Sequence, residues 1–261
     1  MPEYMHWRLS ECSRCDVLYV NPAPSAEVLS NLYHQAAFDS AKEAGFASKT
    51  YSSCLPRIVR RLPDLSGALD VGTGNGAFLE ELLIAGFTGV SGIEPSSAPI
   101  ESAASAIRPL IRKDMFRAGL YEPESFRLVT CFQTIEHLHD PLEFCKDFQK
   151  ILKPNGALFI IGHNRRAISA KVMGFRSPIF DIEHLQLFSR KSYHHLLINA
   201  GFRVAWIKPI WNRYPLSYWF RLAPLPGKIK DPMLKMLSQG MIGRIILGLP
   251  AGNMMAVAFK D

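Results

Sequence analysis

Residues 69–82 read LDVGTGNGAFLEEL, and this stretch decides the fold. The run GALDV at 67–71 has the length and character of a buried strand, and residues 75–85 have helical spacing closed by Gly86. Between them Gly72, Gly74 and Gly76 alternate. A strand that turns straight into a helix offers unsatisfied backbone N–H groups and the positive end of a helix dipole. Glycines in that turn give the backbone freedom and let a ligand approach to contact distance. Three of them exceed what the turn needs, so the pattern predicts a bound group. The spacing G-x-G-x-G is one residue short of the dinucleotide fingerprint, and no Gly-Lys-Ser/Thr follows to make a P-loop.

The strand–helix rhythm continues along the chain. Residues 88–93, 110–113, 127–132, 157–162, 202–207 and 254–259 read as further strands. Helices are expected at 25–35 with Ser25 as N-cap, at 48–62, 97–107 and 141–152, and at 189–200 with Ser189 as cap. Such alternation predicts an α/β fold with a mostly parallel sheet covered on both faces. Two acids stand at strand tips. Glu94 ends the second strand, 18 residues after Gly76, where a carboxylate can accept from both hydroxyls of a ribose. Asp114 follows the third strand, where an acid can accept from an adenine amino group while Met115 or Phe116 packs on the ring.

In combination, DVGTGNG, GIEPS, KDMF and TCFQTIEHLHDP resemble the class I S-adenosylmethionine-dependent methyltransferases. LKPNGALFII, EHLQLFSRKSYHHLLINAGF and NMMAVAFK extend the resemblance, which covers residues 50–208 and the last strand. It implies a Rossmann-like seven-stranded sheet with helices on both faces, its last strand, 254–259, antiparallel between two parallel ones. It also implies S-adenosylmethionine as cofactor. Asp70, Gly72, Thr73, Gly74 and Gly76 would contact the methionine moiety, Glu94 the ribose, Asp114 and Met115 the adenine. Gln133 would stand beside the sulfonium. The family often has an acid in the fourth strand where this chain has Arg127, a position expected to lie outside the pocket.

Methyl transfer from a sulfonium is an in-line displacement that releases a neutral thioether, so the enzyme must align the partners and exclude water. A hydroxyl acceptor also needs a base. His137 is the first candidate, with His163 and His184 next; each can equally fix a loop or orient substrate. Glu136-His137 is also similar to ubiquinone-biosynthesis O-methyltransferases, in which E-x-x-E-H can hold a divalent metal. Gln133 replaces the first acid here, and no metal is expected. The expected reaction is O-methylation of a small molecule or a glycan precursor, a nucleotide-linked or lipid-linked sugar, as in polysaccharide-cluster methyltransferases. The alternatives are a nicotinamide-dependent Rossmann oxidoreductase and a non-catalytic protein that binds S-adenosylmethionine.

The net charge of +7 is concentrated: residues 203–248 carry eight basic side chains and one acid, Asp231. Three of the four tryptophans lie there too, and the stretch 208–252, with six prolines, reads as an insertion. It is expected either as a helical lid or as a platform at an anionic membrane surface. A phosphorylated or lipid-linked acceptor suits it; no nucleic-acid-binding module is evident. Residues 1–48 read as a separate N-terminal part, and 49–261 as the main domain. Cys12 and Cys15 resemble half of the zinc-ribbon knuckle that precedes some bacterial methyltransferase domains, and zinc is not expected without the other half. In those proteins the Asn21-Pro22 turn and the helix up to Tyr33 help form a cofactor lid. Five cysteines, no leader-like start and no long apolar run suggest a reduced, cytoplasmic protein, with peripheral contact at the inner membrane face left open.

Overall fold

The computed structural model describes residues 6–25, 28, 41–177, 179–222 and 227–261. Short strands β1 (Leu9–Glu11) and β2 (Leu18–Val20) come first, then helices α1 (Ala41–Ser52) and α2 (Leu55–Val59). The central part runs β3 (Ser66–Val71), α3 (Ala77–Ile84), β4 (Thr88–Glu94), α4 (Ser97–Glu101), β5 (Ile111–Lys113), β6 (Phe126–Phe132), α5 (Pro141–Ile151) and β7 (Leu152–His163). Next follow α6 (Ile168–Met173), β8 (Gln186–Leu187), α7 (Arg190–Asn199), β9 (Arg203–Pro209) and β10 (Asn212–Pro215). Then come α8 (Leu216–Leu222), α9 (Gly227–Gln239), β11 (Ile246–Leu249) and β12 (Asn253–Phe259).

Among the described residues the main sheet has seven strands in the order β5-β4-β3-β6-β7-β12-β9. β3 to β7 pair in parallel, and β12 runs antiparallel to both β7 and β9, as the resemblance implied. All seven residues of β12 are buried, which explains why residues 254–259 are continuously apolar rather than alternating. One face of the sheet packs on Phe148, Tyr193 and Leu197 from α5 and α7. The other packs on Phe78, Leu79 and Leu82 from α3 and on Leu55 and Ile58 from α2. The chain winds outward from β3 through β4 to β5, then returns to β6 on the other side. The strand order therefore reverses between β3 and β6, and open α/β sheets place ligands at such a switch point.

Three elements differ from the sequence expectation. The helix expected at 97–107 stops at Glu101, because the Arg108 guanidinium donates to the Glu101 and Ala103 carbonyls at 2.6 and 3.3 Å and caps the end. The helix expected at 48–62 begins at Ala41 and breaks before Leu55-Pro56, where the proline starts a new helix. The strand expected at 157–162 starts already at Leu152, so Lys153-Pro154-Asn155-Gly156, which follows the helix, lies inside β7. At 25–35 the Ser25 hydroxyl accepts from the Val28 N–H at 3.4 Å; the rest of that helix and the lid up to Tyr33 fall outside the described residues. The capping box at Ser189 and Ser192 starts α7 as the sequence suggests.

Two smaller units flank the sheet. β1, β2 and β8 form one, with Cys12 and Cys15 in the turn between β1 and β2. It is tied down by Arg165, whose guanidinium meets Glu11 at 2.5 Å and Asp16 at 2.7 Å, and by Arg166, which meets the same two acids. Hydrogen bonding from Arg166 holds the Asp16 carboxyl well below its usual range. The insertion folds back on itself: β10 pairs antiparallel with β11, and α8 and α9 lie between them. Arg127 stands at the start of β6, the end of the sheet away from the glycine turn. There it donates to the Pro154 carbonyl and to Asp64, each at 2.6 Å.

Candidate active site

The three glycines of the turn all have positive φ: +72° at Gly72, +57° at Gly74 and +74° at Gly76. They are glycines for different reasons. A Cβ on Gly72 would collide with the Thr134 side chain, and one on Gly76 with Ile107 and Ile111. At Gly74 nothing stands within 4 Å of the added atom. Its missing side chain therefore keeps open space, whereas the other two permit close packing.

That space is a cavity of about 190 Å³ lined by Asp70, Gly72, Thr73, Gly74, Asn75, Phe132 and Gln133, among others. Its remaining wall comes largely from Ala44, Ala47, Ser48 and Tyr51, spaced i, i+3, i+4 and i+7 on α1. This wall was not foreseen in the sequence, where the helix was expected to start only at residue 48. Its signal is the small-residue stripe itself. Asn75 was missed as well.

The cavity floor is polar. Asp70 is 3% exposed and accepts from the Thr130 hydroxyl at 2.6 Å. Burial pushes its carboxyl up to about 6, against the hydrogen bond from Thr130. Gln133 sits just past β6 at φ +49°, a conformation that costs energy for a residue with a side chain. Its Nε2 donates to the Tyr51 hydroxyl at 3.5 Å, and its Oε1 is buried without a partner. A buried orphan acceptor beside a buried carboxylate fits a ligand that brings donors or positive charge.

The remaining strand tips continue in line. Glu94 is 7% exposed at the end of β4; one carboxylate oxygen accepts from Gly74 N–H at 3.0 Å and the other from Ser96 N–H at 2.9 Å. It thus orders the glycine turn, and each oxygen keeps a second lone pair for a hydroxyl donor. Asp114 follows β5, accepting from Met115 N–H at 2.8 Å and pairing with Arg117 at 3.3 Å and Arg112 at 3.7 Å. Met115 is 62% exposed beside it. The cavity is smaller than the roughly 300–1,000 Å³ of a typical ligand pocket, so it takes one end of an extended group. Asp70, Gly74, Glu94 and Gln133 supply the acceptors, open backbone and desolvated floor that an adenosyl cofactor with a cationic amino-acid end requires.

On the other side of the switch point the three candidate histidines meet. The His137 and His184 rings lie 4.8 Å apart, and those of His184 and His163 5.1 Å. Glu136 lies beneath them, fully buried. It accepts from the His163 N–H at 2.6 Å, and the His163 ring Nδ1 is 3.4 Å from the same oxygen. A Cβ on Gly162 would collide with both this carboxylate and the Tyr193 hydroxyl, so the glycine makes room for them. Burial raises the Glu136 carboxyl, but His163, with the charges of His184 and His137, outweighs it and brings it down to about 2. His184 is carried down to about 4, by burial first and then by its histidine neighbours, and is neutral at pH 7. The His137 Nδ1 lies 3.0 Å from the Glu183 carbonyl and His184 Nδ1 2.8 Å from that of Ile179. A carbonyl accepts only from N–H, so each Nδ1 carries the proton, and Nε2 of His184 is left as acceptor. Among the described residues no group of three or more His, Cys, Asp and Glu side chains is arranged to hold a metal ion.

A family model described as a methyltransferase domain matches residues 44–205. The ubiquinone biosynthesis O-methyltransferase of Pseudomonas putida strain F1 is 32% identical over 114 residues, covering 41% of this chain and 49% of that protein. The corresponding protein of Actinobacillus pleuropneumoniae is 33% identical over 107 residues, covering 37% and 45%. The chain thus spans about half the length of the curated relatives it matches. A SAM-dependent methyltransferase from Archaeoglobus fulgidus superposes with a TM-score of 0.55 at 17% identity, covering 90% of this chain and all of that one. The [4+2]-cyclase SpnF superposes at 0.51 with 18% identity, covering 80% and 81%, so the fold alone does not name a reaction. The family match decides against the nicotinamide alternative, since it spans the glycine turn, the strand-tip acids and the histidine cluster together. The chain belongs to the class I S-adenosylmethionine-dependent methyltransferases.

Proposed function

We propose that this methyltransferase acts on a hydroxyl of a small molecule or glycan precursor, with His163 as the base. Bound S-adenosylmethionine supplies an electrophilic methyl carbon on a sulfonium that leaves as a neutral thioether. The observation that carries the proposal is the Glu136–His163 pair at the end of β7, one strand from Gln133. With Nδ1–H turned to Glu136, Nε2 carries the lone pair that takes the hydroxyl proton, and the buried carboxylate stabilises the resulting imidazolium. His137, with its Nδ1 on the Glu183 backbone carbonyl, is assigned to orienting the acceptor. Neutral His184 separates the two rings. Asp70 and the glycine turn hold the methionine end, Glu94 the ribose, and Asp114 with Met115 the adenine. The curated relatives are named as O-methyltransferases, which supports oxygen as acceptor atom. The eight cations of residues 203–248 suit a phosphate-bearing acceptor, a nucleotide-linked or lipid-linked sugar of the kind used in polysaccharide assembly.

The test is a screen for formation of S-adenosylhomocysteine with bacterial nucleotide sugars, quinone precursors and lipid-linked glycans. On the accepted substrate, His163→Ala should lower kcat by about 10²–10⁴-fold with cofactor binding intact. Full turnover in that variant removes His163 as base. Cofactor binding without transfer to any acceptor would leave the non-catalytic reading in its place.

A further inference from the structure

Six of the nine residues 241–249 are large apolar side chains that face solvent: Met241 is 86% exposed, Ile242 64%, Ile245 51%, Ile246 43%, Leu249 41% and Leu247 36%. Isolated exposed apolar residues are ordinary, but a run of this density marks a contact surface. Trp211, 60% exposed, joins it, with its ring 4.0 Å from where a Cβ on Gly248 would stand. A second set, Ile168, Val172 and Phe175, lies on and just after α6 at 81%, 80% and 62% exposure. The two sets meet where Ser169 donates to the Ala251 carbonyl at 3.3 Å and Asn164 N–H to that of Gly252 at 2.8 Å. Asn164 directly follows His163, so the apolar surface borders the histidine side of the sheet.

Charge identifies the partner. Arg213, Lys228, Lys235 and Arg244 are exposed within the same unit, and Asp231 is the single acid of residues 203–248. A second copy docking on this face about a two-fold axis would set these cations against themselves. An anionic bilayer takes both features at once, apolar side chains below the headgroups and cations among them. Among the described residues no helix is long and apolar enough to cross a membrane, so the contact would be peripheral.

We propose that the 208–252 insertion, with the exposed face of α6, is a docking surface for anionic lipid membrane. The proposal does not depend on the identity of the catalytic base or of the acceptor. It is tested by flotation of the full chain with phosphatidylcholine vesicles and with vesicles containing phosphatidylglycerol. The wild type should float with the anionic vesicles and stay behind with the neutral ones, and added salt should release it. Lys228→Gln with Lys235→Gln should weaken partitioning by roughly 30-fold, at about 1 kcal/mol per cation. Ile242→Asp with Ile245→Asp should abolish it, while a thermal shift with S-adenosylhomocysteine equal to that of the wild type shows the core intact. Three results would overturn the proposal: equal recovery with both vesicle types, flotation unaffected by either double variant, or a wild-type dimer in sedimentation equilibrium that the Ile242→Asp/Ile245→Asp change dissociates.

Discussion

Asp70 is the residue whose replacement separates folding from function most cleanly. Its carboxyl is raised from 3.8 to about 6 by burial, so at neutral pH the folded protein holds a carboxylate that the unfolded chain ionises more readily. Folded protein binds more protons between those two values, and stability therefore falls as pH rises through that window. The shift of about 2 units corresponds to about 3 kcal/mol of destabilisation at pH 7. Asp70→Asn keeps the acceptor for Thr130 and removes the ionisation. The diagnostic quantity is therefore the pH dependence of the difference between variant and wild type. That difference should shift toward the variant by about 2 kcal/mol between pH 4 and pH 7. Urea unfolding at several pH values reads it directly. The same variant should bind S-adenosylhomocysteine at least tenfold more weakly at pH 7, because the cationic amino group loses its counter-charge. A difference that does not change with pH would refute the account of Asp70 as a destabilised carboxylate. Undiminished cofactor affinity would refute its place in the site.

The glycine turn predicts opposite outcomes at neighbouring positions. Gly76→Ala meets Ile107 and Ile111 at positive φ and should cost about 3 kcal/mol of stability. Gly74→Ala should cost about 1–2 kcal/mol, since only its φ is unfavourable, yet weaken S-adenosylhomocysteine binding more than that loss explains. Thermal shifts with and without ligand separate the two. Glu136 has its carboxyl lowered from 4.5 to about 2, so it contributes stability that is present above pH 4.5 and lost as pH falls toward 2. Glu136→Gln should remove that part of the acid sensitivity, about 3 kcal/mol, and lower kcat with little change in cofactor affinity. An acid-unfolding curve superimposable on that of the wild type would argue against the pairing with His163.

What the sequence discloses depends on how local each requirement is. The glycine turn is legible because positive φ is demanded of single residues, whatever surrounds them. The buried, antiparallel β12 is legible only as a continuous apolar run; its place between β7 and β9 came from the resemblance. The α1 wall is not legible as part of a site, because Ala44, Ala47, Ser48 and Tyr51 have the same spacing as an ordinary packing stripe. Glu136 is visible as an acid next to a histidine, but the histidine it serves is 27 residues away and reaches it through the β6–β7 pairing.

The order of the functional groups makes the same point more sharply. Along the chain they come as Asp70, Glu94, Asp114, Gln133 and His163. Across the strand ends they stand as Asp114, Glu94, Asp70, Gln133 and His163, because the chain winds outward from β3 to β5 and then returns to β6 on the other side of β3. That reversal sets the buried acid Asp70 next to Gln133 at the switch point. Three acids lie on one side of it and the Glu136-backed histidines on the other. A cation bound at the acidic side has its charge matched there. Its reacting end then faces the histidine cluster, with Glu136 buried beneath His163. The division between binding and chemistry thus follows from winding, and a strand-by-strand reading of the sequence recovers the members of each half without revealing which two stand side by side.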